Sequence, residues 1–179
     1  MSKDTSLLEH IVLKAKKADP EAQSEIYRRF SKAMFNICIR MSGNKEDAED
    51  LLHEVFVIVF TSIAQLKNPE RLAGWIRSIT INQCIAFCRK KTVVSSLCID
   101  EPDYENEEWF MEFTIEQIHE AIKRLPNGSR EIFNLYAVEG LSHKTIAAKL
   151  QITESTSKSQ YHRARSLLKD FLTKRIQHG

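Results

Sequence analysis

The sequence predicts an all-α protein built as two small helical domains joined by a flexible acidic linker. Three observations point there. Five Gly and four Pro in 179 residues are too few for a turn-rich β fold, and no segment alternates strongly between apolar and polar residues. Apolar residues recur instead at spacings of three and four, between capping residues and prolines that mark helix starts. Charge is also segregated: residues 1–95 carry 15 Lys/Arg and 11 Asp/Glu, residues 96–112 no base and seven acids, and residues 113–179 11 bases and six acids. Two basic lobes, +4 and +5, thus flank a −7 strap in a chain whose net charge is only +2.

The first lobe, residues 5–95, reads as a helical bundle. An amphipathic segment around Leu7–Val12 opens it. Asp19 before Pro20 has the form of an N-cap with proline in the first turn, and the helix that follows is expected to bury Ile26, Phe30, Ala33, Phe35 and Ile37. Ser42–Gly43–Asn44 ends it. Asn44 then caps a third helix with Glu46 and Asp47 in its first turn, where the helix dipole favours acids. From Leu51 to Ile63 this helix is apolar nearly all round, which predicts a central position. Asn68–Pro69 repeats the cap-plus-proline device and opens a helix running to about Lys91. Leu72, Trp75, Ile76, Ile79 and Ile85 are expected inside, with Arg71, Arg77, Arg89, Lys90 and Lys91 forming a basic flank and end.

Residues 96–112 have a linker's composition, with no apolar period to build a helix on. Fully extended they span about 55 Å, at about 3.3 Å per residue. Cys38, Cys84, Cys88 and Cys98 follow neither a disulfide framework nor a zinc spacing; they read as small buried apolar residues, although Cys84 and Cys88 stand one helical turn apart. The N-terminus lacks a signal-peptide pattern, and the longest apolar run, Val55 to Phe60, is far shorter than a membrane span of roughly 20 residues. The expectation is a cytosolic protein with no membrane insertion.

The second lobe, residues 113–176, contains the most informative stretch, Leu141 to Arg165. Ser142 can cap a short helix burying Ile146, Ala147 and Leu150; Gln151 and Ile152 make a turn; Thr153 can cap the next helix. Tyr161, Ala164, Leu168 and Phe171 then form one inward stripe, leaving Lys158, Ser159, His162 and Arg163 on the other side. A helix carrying short polar and cationic side chains, supported by a second small helix, suits major-groove readout: hydroxyls and guanidinium groups reach base edges while cations neutralise phosphates. Nothing here suggests a cofactor, a metal, a small-molecule substrate or a catalytic group, since no Gly-rich phosphate loop, paired-carboxylate constellation or nucleophile–base spacing is present.

The order NKEDAEDLLHEVF, LAGWIRSITIN, CRKK, an acidic linker, RLPNGSREIFNLYAVEGLSHKTIAAKLQIT and KSQYHRAR closely resembles a bacterial RNA polymerase sigma factor of the sigma-70 family. The short form resembles the extracytoplasmic-function group. The resemblance covers about Leu7 to Leu172 and implies a region 2-like bundle and a region 4-like helix–turn–helix. It implies core RNA polymerase and promoter DNA as partners, and an anti-sigma factor as a further one. It places core-polymerase binding on Asp47, Asp50, Leu51 and Glu54, where carboxylates beside an apolar ridge suit an arginine-rich coiled coil. Minus-ten DNA falls to Lys67, Asn68, Arg71, Arg77, Asn82, Arg89, Lys90 and Lys91, with Asn82, the loop Leu66 to Arg71 and Trp75 as candidates for holding an unstacked base. Minus-thirty-five DNA falls to Lys144, Thr156, Lys158, Ser159, His162, Arg163 and Arg165. The strap Asp100 to Glu112 is expected to mimic RNA in a basic polymerase channel, with Trp109 and Phe110 either anchoring it or opening the second core.

Five positions depart from the family's pattern. Gln151 stands where the turn commonly has Gly, so a left-handed backbone there would carry strain. Ser157 replaces an inward apolar residue, Gln160 a frequent Arg, Ala86 a frequent acid, and His53 a common Gln. Two other readings stay open: a free-standing helix–turn–helix regulator with a sensor or dimerisation lobe, and a redox or metal enzyme using Cys84, Cys88 and a histidine.

Overall fold

The computed structural model describes residues 3–91 and 113–176, and among them every regular element is helical. The acidic strap, Cys98, Trp109 and Phe110 lie outside the described residues, as does the expected domain border at residue 95. The chain divides into two compact units, with the border between Phe87 and Cys88.

The first unit holds α1 (Lys3–Ala15), α2 (Pro20–Ser42), α3 (Lys45–Ser62) and most of α4 (Leu72–Lys91). Helix α1 buries Ile11, Val12 and Ala15 and ends in a tight turn with Ala18 left-handed (φ 58°). Asp19 then accepts from the Ala22 amide at 2.8 Å, the expected cap. Along α2 the buried positions are Ala22, Ile26, Met34, Ile37, Cys38 and Met41. Ala33, expected inside, is exposed, and Phe30 and Phe35 are only half-buried: the stripe runs through the thioether and thiol residues instead. Gly43 closes α2 at φ 82°, a conformation that glycine adopts without steric cost, and its amide donates to Ile39 O at 3.0 Å. Asn44 Oδ1 accepts from the Asp47 amide at 2.9 Å and starts α3.

Helix α3 is not buried all round. Ala48, Leu51, Leu52, Val55, Phe56 and Val59 face the core, but Val57 is 50% exposed and Ile58 and Phe60 are half-exposed. Tyr27 of α2 lies over Phe56 with centroids 4.7 Å apart. Two short 3₁₀ turns, Ile63–Gln65 and Pro69–Arg71, lead into α4, and Asn68 Oδ1 caps the second by accepting from the Glu70 amide at 2.9 Å. In α4 Leu72, Ile76 and Ile85 are buried as expected, joined by Thr80, Ile81, Cys84 and Cys88. Trp75 and Ile79 reach only half-burial. Cys38, Cys84 and Cys88 are buried thiols outside any disulfide, and a hydrogen bond from Cys84 favours the thiolate of Cys38 while burial pushes the Cys88 thiol up.

The second unit holds α5 (Ile115–Lys123), α6 (Asn127–Phe133), α7 (His143–Leu150) and α8 (Glu154–Ile176). Thr114 and Gln117 form a reciprocal capping box at the start of α5. Helix α6 continues into a π-helical stretch, Asn134–Val138, and Leu141 donates to Leu135 O at 2.9 Å as the chain leaves it. Ala121, Ile122, Leu125, Ile132, Leu135, Ile146, Tyr161, Ala164, Leu168 and Leu172 make the core. No helix among the described residues is long and apolar enough to cross a membrane.

Candidate nucleic-acid interface

The helix–turn–helix is built from α7 and α8. Ser142 Oγ accepts from the Thr145 amide at 3.2 Å, and Thr153 Oγ1 accepts from the Thr156 amide at 3.0 Å, so both expected caps are present. Between them Gln151 takes the left-handed conformation, φ 59° and ψ 43°, and its amide donates to Ala147 O. The backbone keeps the geometry that glycine serves best, at a strain of about 1 kcal/mol. Ile146 and Ala147 are buried; Leu150, expected beside them, is half-exposed.

Ser157, Tyr161, Ala164 and Leu168 form a continuous inward stripe on α8. Ser157 is fully buried, and its hydroxyl lies 2.9 Å from His143 Nδ1. The His143 ring stacks on Tyr136 (centroids 4.1 Å, 13° between planes) and meets the edge of Tyr161 at 5.6 Å. Partial burial, and next the charge of Lys158, lower the proton affinity of His143. One polar pair therefore ties the start of α7 to the first turn of α8. Gln160 is turned toward α6, where its Oε1 accepts from Ser129 Oγ at 2.7 Å. Both departures from the family pattern have partners inside this unit.

The outward face of α8 follows from about 100° per residue. Ser155, Ser159, Arg163 and Ser166 fall within a narrow sector, with Thr156 and His162 at its edges. Arg163 is exposed, and Ser159 and His162 are half-exposed. Ser155 and Ser166, which the sequence reading passed over, are exposed on this face; counting fours and sevens from Ser159 would have found them. Lys158 is exposed on the flank and paired with Glu154 at 2.9 Å, which lowers the pKa of that carboxyl. Arg165 lies on the same flank, about a third of a turn from the Ser159 sector, and Lys144 is exposed on α7.

In the first unit, Lys67, Asn68 and Arg71 are exposed on the loop before α4. Asn82 and Arg89 share a face of α4, since a separation of seven brings residues nearly into line. Gly74 and Ser78 lie on that face too, both exposed, and a Cβ on Gly74 would meet nothing within 4 Å. They were also missed, although steps of four back from Asn82 reach them. Arg77 and Lys90 are exposed on opposite flanks; the Lys91 side chain is outside the described residues.

The acidic patch is placed differently from the sequence expectation. Asp50 and Glu54 are exposed on α3 and Asp47 is half-exposed, accepting from Asn44 Nδ2. Leu51, expected among the contacts, is 3% exposed and belongs to the core. The exposed apolar side chain on this helix is Val57, because Leu51 sits on the stripe with Ala48 and Val55. Among the described residues no three His, Cys, Asp or Glu side chains converge as a metal-binding group.

A helical bundle with a polar, cationic helix face, followed by a helix–turn–helix with a cationic reading helix, is the architecture of a nucleic-acid-binding protein. Family models assign both lobes: "Sigma-70 region 2" matches residues 26–93 and "Sigma-70, region 4" matches residues 115–168. The RNA polymerase sigma factor SigZ of Bacillus subtilis is 30% identical over 150 residues, covering 83% of this chain and 85% of that protein. The ECF RNA polymerase sigma factor SigE of Mycolicibacterium smegmatis is 31% identical over 159 residues, or 84% of this chain, which spans 61% of that relative's length. The sigma factor RpoE of Bartonella quintana, solved in complex with the anti-sigma factor NepR, shares the fold at 21% identity and a TM-score of 0.52, over 84% of this chain and 96% of that one. The chain belongs to the RNA polymerase sigma factors of the sigma-70 family. A sigma-70 region 2 in the first lobe replaces the sensor or dimerisation domain of a free-standing regulator, and neither family model is a catalytic one.

Proposed function

We propose that this chain binds core RNA polymerase and directs it to specific promoters as a dissociable, non-catalytic subunit. The observation that carries this reading is the order of the matches, region 2 and then region 4 on one chain. Residues 5–95 bind core and engage the minus-ten element, residues 96–112 link, and residues 113–176 read the minus-thirty-five duplex. Asp47, Asp50 and Glu54, with Val57 as the exposed apolar neighbour, form the core-docking surface. Lys67, Asn68, Arg71, Asn82 and Arg89 line the path of the melted strand, while Arg77, Lys90 and Lys91 reach flanking phosphates. Ser159, His162 and Arg163 read base edges from α8; Lys144, Thr156, Lys158 and Arg165 bind phosphates around them. The protein acts in the cytoplasm, where polymerase and promoter are, and an anti-sigma factor holds it inactive by covering its docking surfaces.

Specific run-off transcripts are expected when the purified chain is added to core polymerase and promoter fragments of its host. Folded protein that yields none on any promoter would falsify the reading. Arg163→Ala should weaken capture of the upstream duplex by about 1–3 kcal/mol if its contact is a bidentate base contact.

A further inference from the structure

Lys16 Nζ donates to the Leu66 carbonyl at 2.7 Å, a bond joining residues fifty apart in sequence. Both ends are held by independent structure. Lys16 follows the last residue of α1, its amide donates to Val12 O at 3.0 Å, and the next two amides close onto Lys14 and Ala15 before Asp19 starts α2. Leu66 is anchored by a side chain only 5% exposed and by its amide, which donates to Ile63 O at 3.1 Å. Two residues later Asn68 caps the turn at Glu70. Lys67 and Asn68 therefore project from a short stretch pinned by the ammonium at one end and by a cap at the other.

We propose that Lys16 is a positioning residue for promoter-strand capture: by holding the Leu66 carbonyl it fixes the loop that presents Lys67 and Asn68 to the melted strand. The proposal rests on the reading of this loop as a base-capturing element. An ammonium-to-carbonyl bond is stronger and shorter than a neutral one, and a loop ordered before DNA arrives loses less conformational freedom on binding. The Lys16 side chain is only half-buried, so water can replace the ammonium at the carbonyl if it is removed. The fold then loses little. What is lost is a single loop geometry, and the effect belongs in base choice and strand opening rather than stability.

The test uses full-length chain bound to core polymerase and a promoter library randomised across the minus-ten element. Lys16→Met keeps the aliphatic stem and removes the donor; Lys16→Arg keeps a cationic donor. The Lys16→Met holoenzyme should lose about fivefold to tenfold in preference at the captured base, with a matching fall in permanganate reactivity of the opened strand. Lys16→Arg should recover most of both, while melting temperature and minus-thirty-five duplex binding stay as in wild type. Unchanged base preference in Lys16→Met, alongside impaired opening in Lys67→Ala or Asn82→Ala, overturns the role of Lys16 and leaves the loop reading standing. Equal loss of stability, duplex binding and opening in Lys16→Met, unrelieved by Arg, shows a merely structural lysine and also overturns it. A wild-type holoenzyme that selects no base there, with opening unaffected by Lys67→Ala and Asn82→Ala, removes the base-capture reading and this inference together.

Discussion

The two units solve the same problem, holding a polar helix face outward, with different interiors. The first packs α1 to α4 around aliphatic and sulfur side chains: Met34, Cys38, Met41 and Cys84 fill it beside Ile and Val. Its fully buried hydroxyl, Thr80, bonds back to Ile76 O at 2.9 Å and lies 3.0 Å from the Met34 sulfur. The second unit buries directional groups. Ser129 meets Gln160, Ser157 meets His143, and Asn134 Nδ2 donates to Arg130 O at 2.9 Å beside the π-helical stretch. A small lobe has little apolar area to place its helices by burial alone. Directional polar pairs specify one arrangement where a greasy interface would tolerate several. The teaching is about tolerance: the first interior should forgive changes of shape, the second should not forgive the loss of one partner.

The largest effect tests the first interior. Ile76→Ala removes a side chain with no exposure and should cost about 2–5 kcal/mol, depending on how far the site collapses. Ile76→Met should cost under about 1.5 kcal/mol if sulfur-rich packing is as adaptable as its composition implies. Urea denaturation with hydrogen exchange resolved by unit measures both; equal losses for Ala and Met would break the contrast.

A cycle on the second interior comes next. His143→Phe leaves the Ser157 hydroxyl buried without its partner and should destabilise this unit by about 1–3 kcal/mol. Adding Ser157→Ala should return much of that loss, because no polar group is then left stranded. If the double variant is as unstable as the sum of the singles, the pair is not the brace described here.

Two backbone substitutions should stabilise, each by about 0.5–1 kcal/mol. Gln151→Gly relieves a left-handed residue in the second unit. Gly74→Ala suits an exposed helical position in the first, with open space for the methyl. The Gly74 change carries a functional signature: on the Asn82 face, closer backbone approach to DNA should be impaired while the melting temperature rises. A change in temperature without any change in strand opening would remove Gly74 from the interface.

The smallest effect is on pH dependence. His143 binds its proton more weakly in the folded unit than its ordinary value of 6.5, first through burial and then through Lys158, with Glu154 opposing and His162 adding to the shift. The unfolded chain thus takes the proton preferentially. The stability tied to His143 is complete above 6.5 and declines as pH falls through the lowered folded value. Wild type should lose more urea resistance between pH 7.5 and 5.5 than His143→Gln does. The same slope in both would place the dependence on another group.

Sequence alone determined the caps that open five of the elements and which class of chain this is. Asp19–Pro20, Asn44, Asn68–Pro69, Ser142 and Thr153 are local devices whose caps act within three residues, so they are legible before any fold is known. The reading helix was legible for the same reason, because period and charge lie along one element. Burial was less so. Ala33 and Val57 are exposed and Leu51 sits in the core, because an apolar residue is buried only where a neighbouring helix arrives to cover it. Tertiary structure alone decided that Ser157 and Gln160 are paired within the second unit and that Lys16 reaches Leu66. Those bonds join residues 14, 31 and 50 apart, and no local periodicity encodes a contact made by folding distant segments together.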